Sequence, residues 1–262
     1  MKIKGFLIDL DGVLVKGDFE PLEGAIEFIS LLKDKNIPFK IATSNSQYSP
    51  EELAKKLQEK GFKIEKEDIL SPLSIAPIYL KEENIKTLFV IGSENLRRYL
   101  KEKGFSIKDD EFVDGVLVGL DKNLSFEKLK TATTALKREK AKLFALNGNK
   151  ISQDNDGKLF PGVGSVAKML SFACSCNEDF KHFGKMSDVY NKIAFKELGL
   201  RPEEIAIISD DLFVDVAGYQ SLGLTGIFMT TGKYSEEDIT EEAKPDFVFH
   251  SLKELIKKLG LS

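Results

Sequence analysis

Apolar residues fall along the chain in two rhythms. Short runs rich in β-branched and aromatic residues recur as GFLIDL (5–10), PFKIATS (38–44), TLFVIG (87–92), GVLVGL (115–120), KLFALN (142–147), EIAIIS (204–209) and TGIFMT (225–230). Between most of them the period lengthens to that of a helix. PLEGAIEFISLLKDKN (21–36) places Leu22, Ala25, Ile26, Ile29 and Leu32 on one face. SPEELAKKLQEKGF (49–62) opens with a capping-box pattern, Ser49 to Glu52, and Pro50 at the first helical position. Strands that alternate with helices and are apolar on both faces predict βαβ units and a mainly parallel sheet. The fold class read from this pattern is α/β.

Three of these strands stay apolar until their last residues and then turn polar. FLID ends in Asp9, KIATSN in Thr43-Ser44-Asn45, and IAIISDD in Ser209-Asp210-Asp211. Ligands of open α/β sheets bind beyond the carboxyl ends of the strands. Each cluster taken alone also reads as a cap for the helix that follows. FLIDLDGVL (6–14) carries a competing signal, because Asp-Gly between apolar runs predicts a tight hairpin turn. That reading leaves Asp9 as an uncompensated buried carboxylate, which is costly.

Asp9 and Asp11, two residues apart, can project toward one reacting centre if the chain is extended between them. Two carboxylates at about 4 Å repel by about 1 to 4 kcal/mol, a cost removed by a cation between them or a proton on one. Magnesium suits such a site: it takes oxygen ligands, keeps several waters and uses one or two carboxylates with a substrate phosphate. Asp210 supplies a further ligand, and Asp215 a group to orient it or hold a neighbouring lysine. Lys185 in HFGKMSD is the candidate cation, and Gly184 lets the backbone approach closely. Lys185 by itself reads equally as a solvated lysine. Thr43 and the amides after it offer donors to phosphate oxygens.

Composition narrows the partners. The 262 residues carry 38 Lys and Arg against 42 Asp and Glu, a net charge of -4, so no nucleic-acid footprint stands out. The basic run LKREKAK (136–142) reads as a solvated helix face. No apolar run approaches the roughly 20 residues of a membrane helix, and the start MKIKGFLIDL lacks a signal-peptide pattern. The expected location is cytoplasmic. Cys174 and Cys176 are too close for an easy bridge and too few for zinc.

DLDGV (9–13), IATSN (41–45), GK (184–185) and SDDLFVD (209–215) occur in this order. In that order and spacing the chain resembles the haloacid dehalogenase superfamily of hydrolases. Asp11 is a feature of the phosphatase and phosphomutase members. About 140 residues separate Thr43 from Lys185, too many for a loop. An inserted domain there is similar to the large α/β (type C2) cap of the p-nitrophenyl phosphatase or NagD-like subfamily. VGLDKNLSFEKL (118–129), FALNGN (144–149), PGVGS (161–165) and KPDFVF (244–249) extend the likeness almost to the C-terminus.

The resemblance implies a Rossmann-like core over 1–78 and 179–262 with a cap over 79–178. It implies Asp9 as the nucleophile and a magnesium ligand. It implies Asp11 as general acid and then base, with its backbone carbonyl on the metal. Thr43, Ser44 and Asn45 would hold the phosphoryl group, Lys185 would neutralise charge, Asp210 would bind magnesium and Asp215 would support the site. The implied activity is magnesium-dependent hydrolysis of a small phosphorylated metabolite through an aspartyl-phosphate. A phosphotransferase or phosphomutase, and a phosphate-binding module without catalysis, remain as alternatives. No G-x-G-x-x-G follows the first strand, which disfavours a nicotinamide-binding domain.

Departures from the subfamily are Met186 where GKP is usual, Ser209 and Val214 in place of GDxxxTD, and Gly148 and Asn149 in place of the Pro and Asp of ATNPD. Asp121, Asn147 and Asn149 are candidate substrate contacts, with loop stabilisation as the competing reading. The segment GVLVKGDF (12–19) is expected to form a small flap. Neither the substrate nor homo-oligomerisation is fixed by the sequence.

Overall fold

The computed structural model describes residues 3–153, 158–175 and 180–260. Cys176 lies outside them, as does the expected boundary at 178/179. The chain folds into two compact units, one formed by 1–43, 50–71 and 191–262 and the other by 44–49 and 72–190. The interval expected for the cap falls within the second unit.

A six-stranded sheet forms the centre of the first unit, in the order Phe247–Phe249, Thr225–Met229, Ile205–Ser209, Gly5–Asp9, Phe39–Ala42, Ile69–Leu70. Every pairing in it is parallel. Leu7, Ile8, Ile207, Ile208, Ile227 and Phe228 are fully buried, as strands covered on both faces require. Gly5–Asp9 is paired on both edges, with Ile8 opposite Ile208 on one side and Asp9 opposite Ala42 on the other. The hairpin reading of Asp11-Gly12 is therefore incorrect as strand pairing, because no edge is left for the residues after the turn. The turn itself is real: the Gly12 amide donates to the Val15 carbonyl at 2.8 Å, with Gly12 at φ 80°. Beyond it Val15–Lys16 and Glu20–Pro21 form a two-stranded antiparallel ribbon, in the segment expected to form a flap.

The helix Ala25–Asp34 buries Ala25, Phe28, Ile29 and Leu32 and packs against the C-terminal helix Leu252–Leu259. Leu22 and Ile26 are only half-buried, so the buried stripe is rotated toward Phe28, whose ring meets Phe6 edge-on at 5.6 Å. Pro50 opens the helix Pro50–Glu59 as its position predicts.

The second unit has its own parallel sheet, ordered Lys181–His182, Lys142–Ala145, Gly115–Val118, Thr87–Ile91, Ser106–Lys108. Its core joins Phe89, Val116 and Ala145 of the sheet to Ala132, Leu136, Ala167 and Leu170 of two helices, Phe126–Lys137 and Val163–Cys174. Cys174 is buried in this core, with its Sγ 3.8 Å from the Thr133 carbonyl. Tyr79, Phe144 and Phe183 form an aromatic cluster with centroids 5.7 to 6.2 Å apart, tying the segment after Lys181 into this unit. No helix among the described residues is long and apolar enough to cross a membrane.

Candidate active site

In the first unit the register of Gly5–Asp9 with Ile205–Ser209 brings Asp9 and Ser209 to the same carboxyl edge. Asp9 is buried, and its Oδ1 accepts the Leu10 amide at 2.9 Å. Its Oδ2 lies 3.2 Å from the Ser209 hydroxyl, which also lies 2.8 Å from Asp215 Oδ2. The Ser209 oxygen in turn accepts the Asp211 amide at 3.1 Å. Asp215 reaches inward from a π-helical turn, Leu212–Val216, capped by Asp211, whose Oδ1 accepts the Val214 amide at 3.0 Å. Single π turns are frequent at functional sites. Val214, in the position where the subfamily usually has Thr, faces solvent.

Asp210 sits one residue past Ser209, buried between two glycines. A Cβ on Gly12 would fall 2.3 Å from Asp210 Oδ2, and one on Gly232 only 1.9 Å away. The Lys233 amide donates to the same oxygen at 2.7 Å. The Thr231 hydroxyl donates to the Gly12 carbonyl, so the loop after Thr225–Met229 clasps the turn that carries Asp11. Lys233 Nζ pairs with Asp211 at 2.8 Å, and that hydrogen bond holds the ammonium above its ordinary value. Asp11 is exposed and Thr43 is buried, with its amide donating to the Leu70 carbonyl at 2.9 Å.

The oxygen chemistry of this edge fits a hard divalent cation. Among the described residues no group of three or more His, Cys, Asp or Glu side chains is gathered to hold a metal. Two carboxylates, Asp9 and Asp210, together with a backbone carbonyl and waters match the habit of magnesium. The two glycines let the backbone close on the Asp210 carboxylate, where any Cβ would collide with it.

Ser44, Asn45, Lys185, Asp121, Asn147 and Asn149 belong to the second unit. Asn45 Oδ1 accepts the amides of Gln47 and Tyr48 at 3.0 and 3.1 Å, folding its own loop. Ser44 is exposed. Asp121 accepts the Asn123 amide at 2.8 Å and pairs with Lys128 at 2.7 Å. Asn147 Oδ1 accepts the Asn149 amide at 3.1 Å. These bonds are those of the loop-stabilising reading. A Cβ on Gly184 would lie 3.1 Å from that of Asn147, so the Gly184-Lys185 turn runs directly over Asn147. Met186 takes φ 66°, a left-handed conformation closed to proline. His182, which sequence reading did not single out, has a buried Nδ1 with no hydrogen-bond partner among the described residues, and burial pushes its pKa down.

Sequence reasoning also passed over Thr231, Gly232 and Lys233. The same rule that marked Asp9 and Asp210 would have found them, since TGIFMT likewise ends in polar residues at a strand terminus.

Comparison with known proteins points the same way. Residues 6–106 match the family described as haloacid dehalogenase-like hydrolase, and residues 182–255 match a second, HAD-hydrolase-like description. An acid sugar phosphatase of Staphylococcus saprophyticus is 33% identical over 258 residues, covering 98% of this chain and 98% of that protein. The p-nitrophenyl phosphatase of Archaeoglobus fulgidus superposes with a TM-score of 0.85 at 28% identity, over 98% of this chain and 99% of that one. A glycerol phosphate phosphatase from Mycobacterium tuberculosis, in complex with magnesium, has a TM-score of 0.77 at 25% identity, over 97% of this chain and 76% of that one.

Proposed function

The chain belongs to the haloacid dehalogenase-like hydrolases as a phosphoric monoester hydrolase, and from that premise we propose that Asp9 is its nucleophile and magnesium its cofactor. The observation that carries this reading is Asp9 itself. It is a buried carboxylate at the carboxyl end of a central strand, its Oδ1 bonded by the Leu10 amide and its Oδ2 beside the Ser209 hydroxyl, with Asp210 directly after the adjoining strand.

A carboxylate oxygen of Asp9 attacks phosphorus, the bond from phosphorus to the leaving oxygen breaks, and the departing alkoxide takes a proton from Asp11. Asp11, now a carboxylate, removes a proton from water, which attacks the phosphorus of the aspartyl-phosphate and frees Asp9 and inorganic phosphate. Magnesium, held by Asp9, Asp210 and the Asp11 carbonyl, would supply neutralisation of the phosphoryl charge. Thr43, Ser44 and Asn45 are the candidate phosphoryl holders and Lys185 the candidate cation, on the strength of the motif resemblance. Asp121, Asn147 and Asn149 stand as candidates for selecting the leaving group.

The substrate class we assign is a small phosphomonoester, such as a sugar or polyol phosphate, in keeping with the names of the relatives. We place the enzyme in the cytoplasm. The deciding experiment is phosphate release from a panel of such esters and p-nitrophenyl phosphate, with and without magnesium, for wild type and Asp9→Asn. Magnesium-dependent release that Asp9→Asn abolishes is the expected result. Equal rates in the two proteins would sink the assignment.

A further inference from the structure

Ser209 is fully buried at the end of its strand, and its hydroxyl stands between two carboxylates. A hydroxyl has one proton to give and two lone pairs to receive with. One lone pair receives the Asp211 amide at 3.1 Å. The single proton can then serve Asp215 at 2.8 Å or Asp9 at 3.2 Å, but not both at once. We propose that Ser209 is a positioning residue of the hydrolytic site, holding the Asp9 carboxylate in its attacking orientation and tying it to Asp215. The proposal rests on Asp9 being the nucleophile.

The geometry explains why the hydroxyl matters. The terminal torsion of an aspartate is soft, so a carboxylate bonded at one oxygen turns easily. The Leu10 amide fixes Asp9 Oδ1, and Ser209 lies at Oδ2, on the opposite side of the group. Between them they define the carboxylate plane. Asp215 keeps the hydroxyl in place when its proton is not on Asp9, and is itself positioned by the π turn. Rotation about the Cβ–Oγ bond moves the proton between the two carboxylates with no heavy atom displaced. Ser209 makes and breaks no covalent bond in the reaction and keeps its proton throughout. Its effect is on how often Asp9 presents the right oxygen to phosphorus, which is a property of turnover and not of substrate affinity.

The test uses the full chain with magnesium and p-nitrophenyl phosphate, comparing wild type, Ser209→Ala, Ser209→Cys and Asp9→Asn. Steady-state kinetics are read together with the rate of phosphoenzyme formation after acid quenching. For Ser209→Ala, kcat and the phosphorylation rate are expected to fall about ten- to one-hundredfold, the range set by one hydrogen bond to a charged group, with KM within about twofold. Ser209→Cys is slightly larger than serine and keeps a weak donor, and is expected to fall between alanine and wild type. An unchanged kcat in a folded Ser209→Ala, a loss carried by KM, or a cysteine variant no better than alanine overturns the proposal. If Ser209→Ala does not fold, the cysteine variant decides: reduced kcat at constant KM supports the assignment, and wild-type kcat overturns it. Asp9→Asn separates the two levels, since turnover in that variant removes the nucleophile assignment independently of Ser209.

Discussion

Gly232 presses on Asp210 so closely that a Cβ at residue 232 would lie 1.9 Å from Asp210 Oδ2. The clash cannot be relieved by the backbone alone, because the next amide, Lys233, donates to that same oxygen at 2.7 Å. In Gly232→Ala the Asp210 carboxylate must move. Calorimetric titration with magnesium is expected to show affinity reduced about tenfold or more, the scale seen when a ligand's supporting contacts are lost. Thermal unfolding should still be cooperative. Wild-type affinity in the variant would remove Asp210 from the metal site.

Asp11 is exposed at the turn closed by the Gly12 amide, which leaves its side chain accessible to a leaving group and to water. Asp11→Asn is expected to lose about 10²- to 10⁴-fold in turnover, the usual contribution of a positioned acid or base. With p-nitrophenyl phosphate, whose leaving group needs little protonation, phosphoenzyme should accumulate and be visible after acid quenching. Normal turnover would assign the proton transfers to another residue.

Met186 inverts an expectation drawn from the subfamily's GKP pattern. At φ 66° the position excludes proline, whose ring holds φ near −65°. Met186→Pro should destabilise the chain by about 1–3 kcal/mol in urea unfolding and lower activity through the adjoining Lys185. Met186→Gly, free to take positive φ, should stay within about 1 kcal/mol of wild type. A proline variant as stable as wild type would contradict the backbone geometry.

His182 gives a pH dependence with a defined sign. Burial lowers its pKa below the ordinary 6.5, with Asp188 opposing. The unfolded chain therefore binds a proton at His182 more readily than the folded one. Its contribution to stability is complete above that ordinary value and is lost as pH falls below it. The only other histidine, His250, pairs with Glu236. Urea titrations at about pH 7.5 and about pH 5 should show a smaller drop for His182→Gln than for wild type. An equal drop in both would place the titrating group elsewhere.

The strands and their polar carboxyl ends were legible because both depend on local pattern. A buried parallel strand is a continuous apolar run, and its end shows as a polar residue where the run stops, as at Asp9 and next to Asp210. The helix phase was less legible: Phe28 joins the buried face in place of Ile26 because packing on Phe6 and the C-terminal helix, not periodicity alone, selects the stripe. The Asp-Gly signal was correct for the turn and incorrect for strand pairing, because partners distant in sequence occupy both edges of Gly5–Asp9. The Ser209 bridge and the Gly232-Lys233 cradle were not legible for the same reason. Ser209 reads as a substitution for glycine until the sheet register sets it beside Asp9. Lys233 is 23 residues from the oxygen it binds.

The parallel pairing of Gly5 with Ile205 also sets an order on the birth of the molecule. A ribosome releases the N-terminal strand long before its central neighbour exists, and closing so long a loop is slow. Residues 72–190, which make up nearly all of the second unit, emerge as one uninterrupted stretch in the meantime. Released chains truncated after residue 190 should therefore carry a more protease-resistant second unit than first unit. Asp9 gains its Ser209 partner only after a further 200 residues of chain have been made.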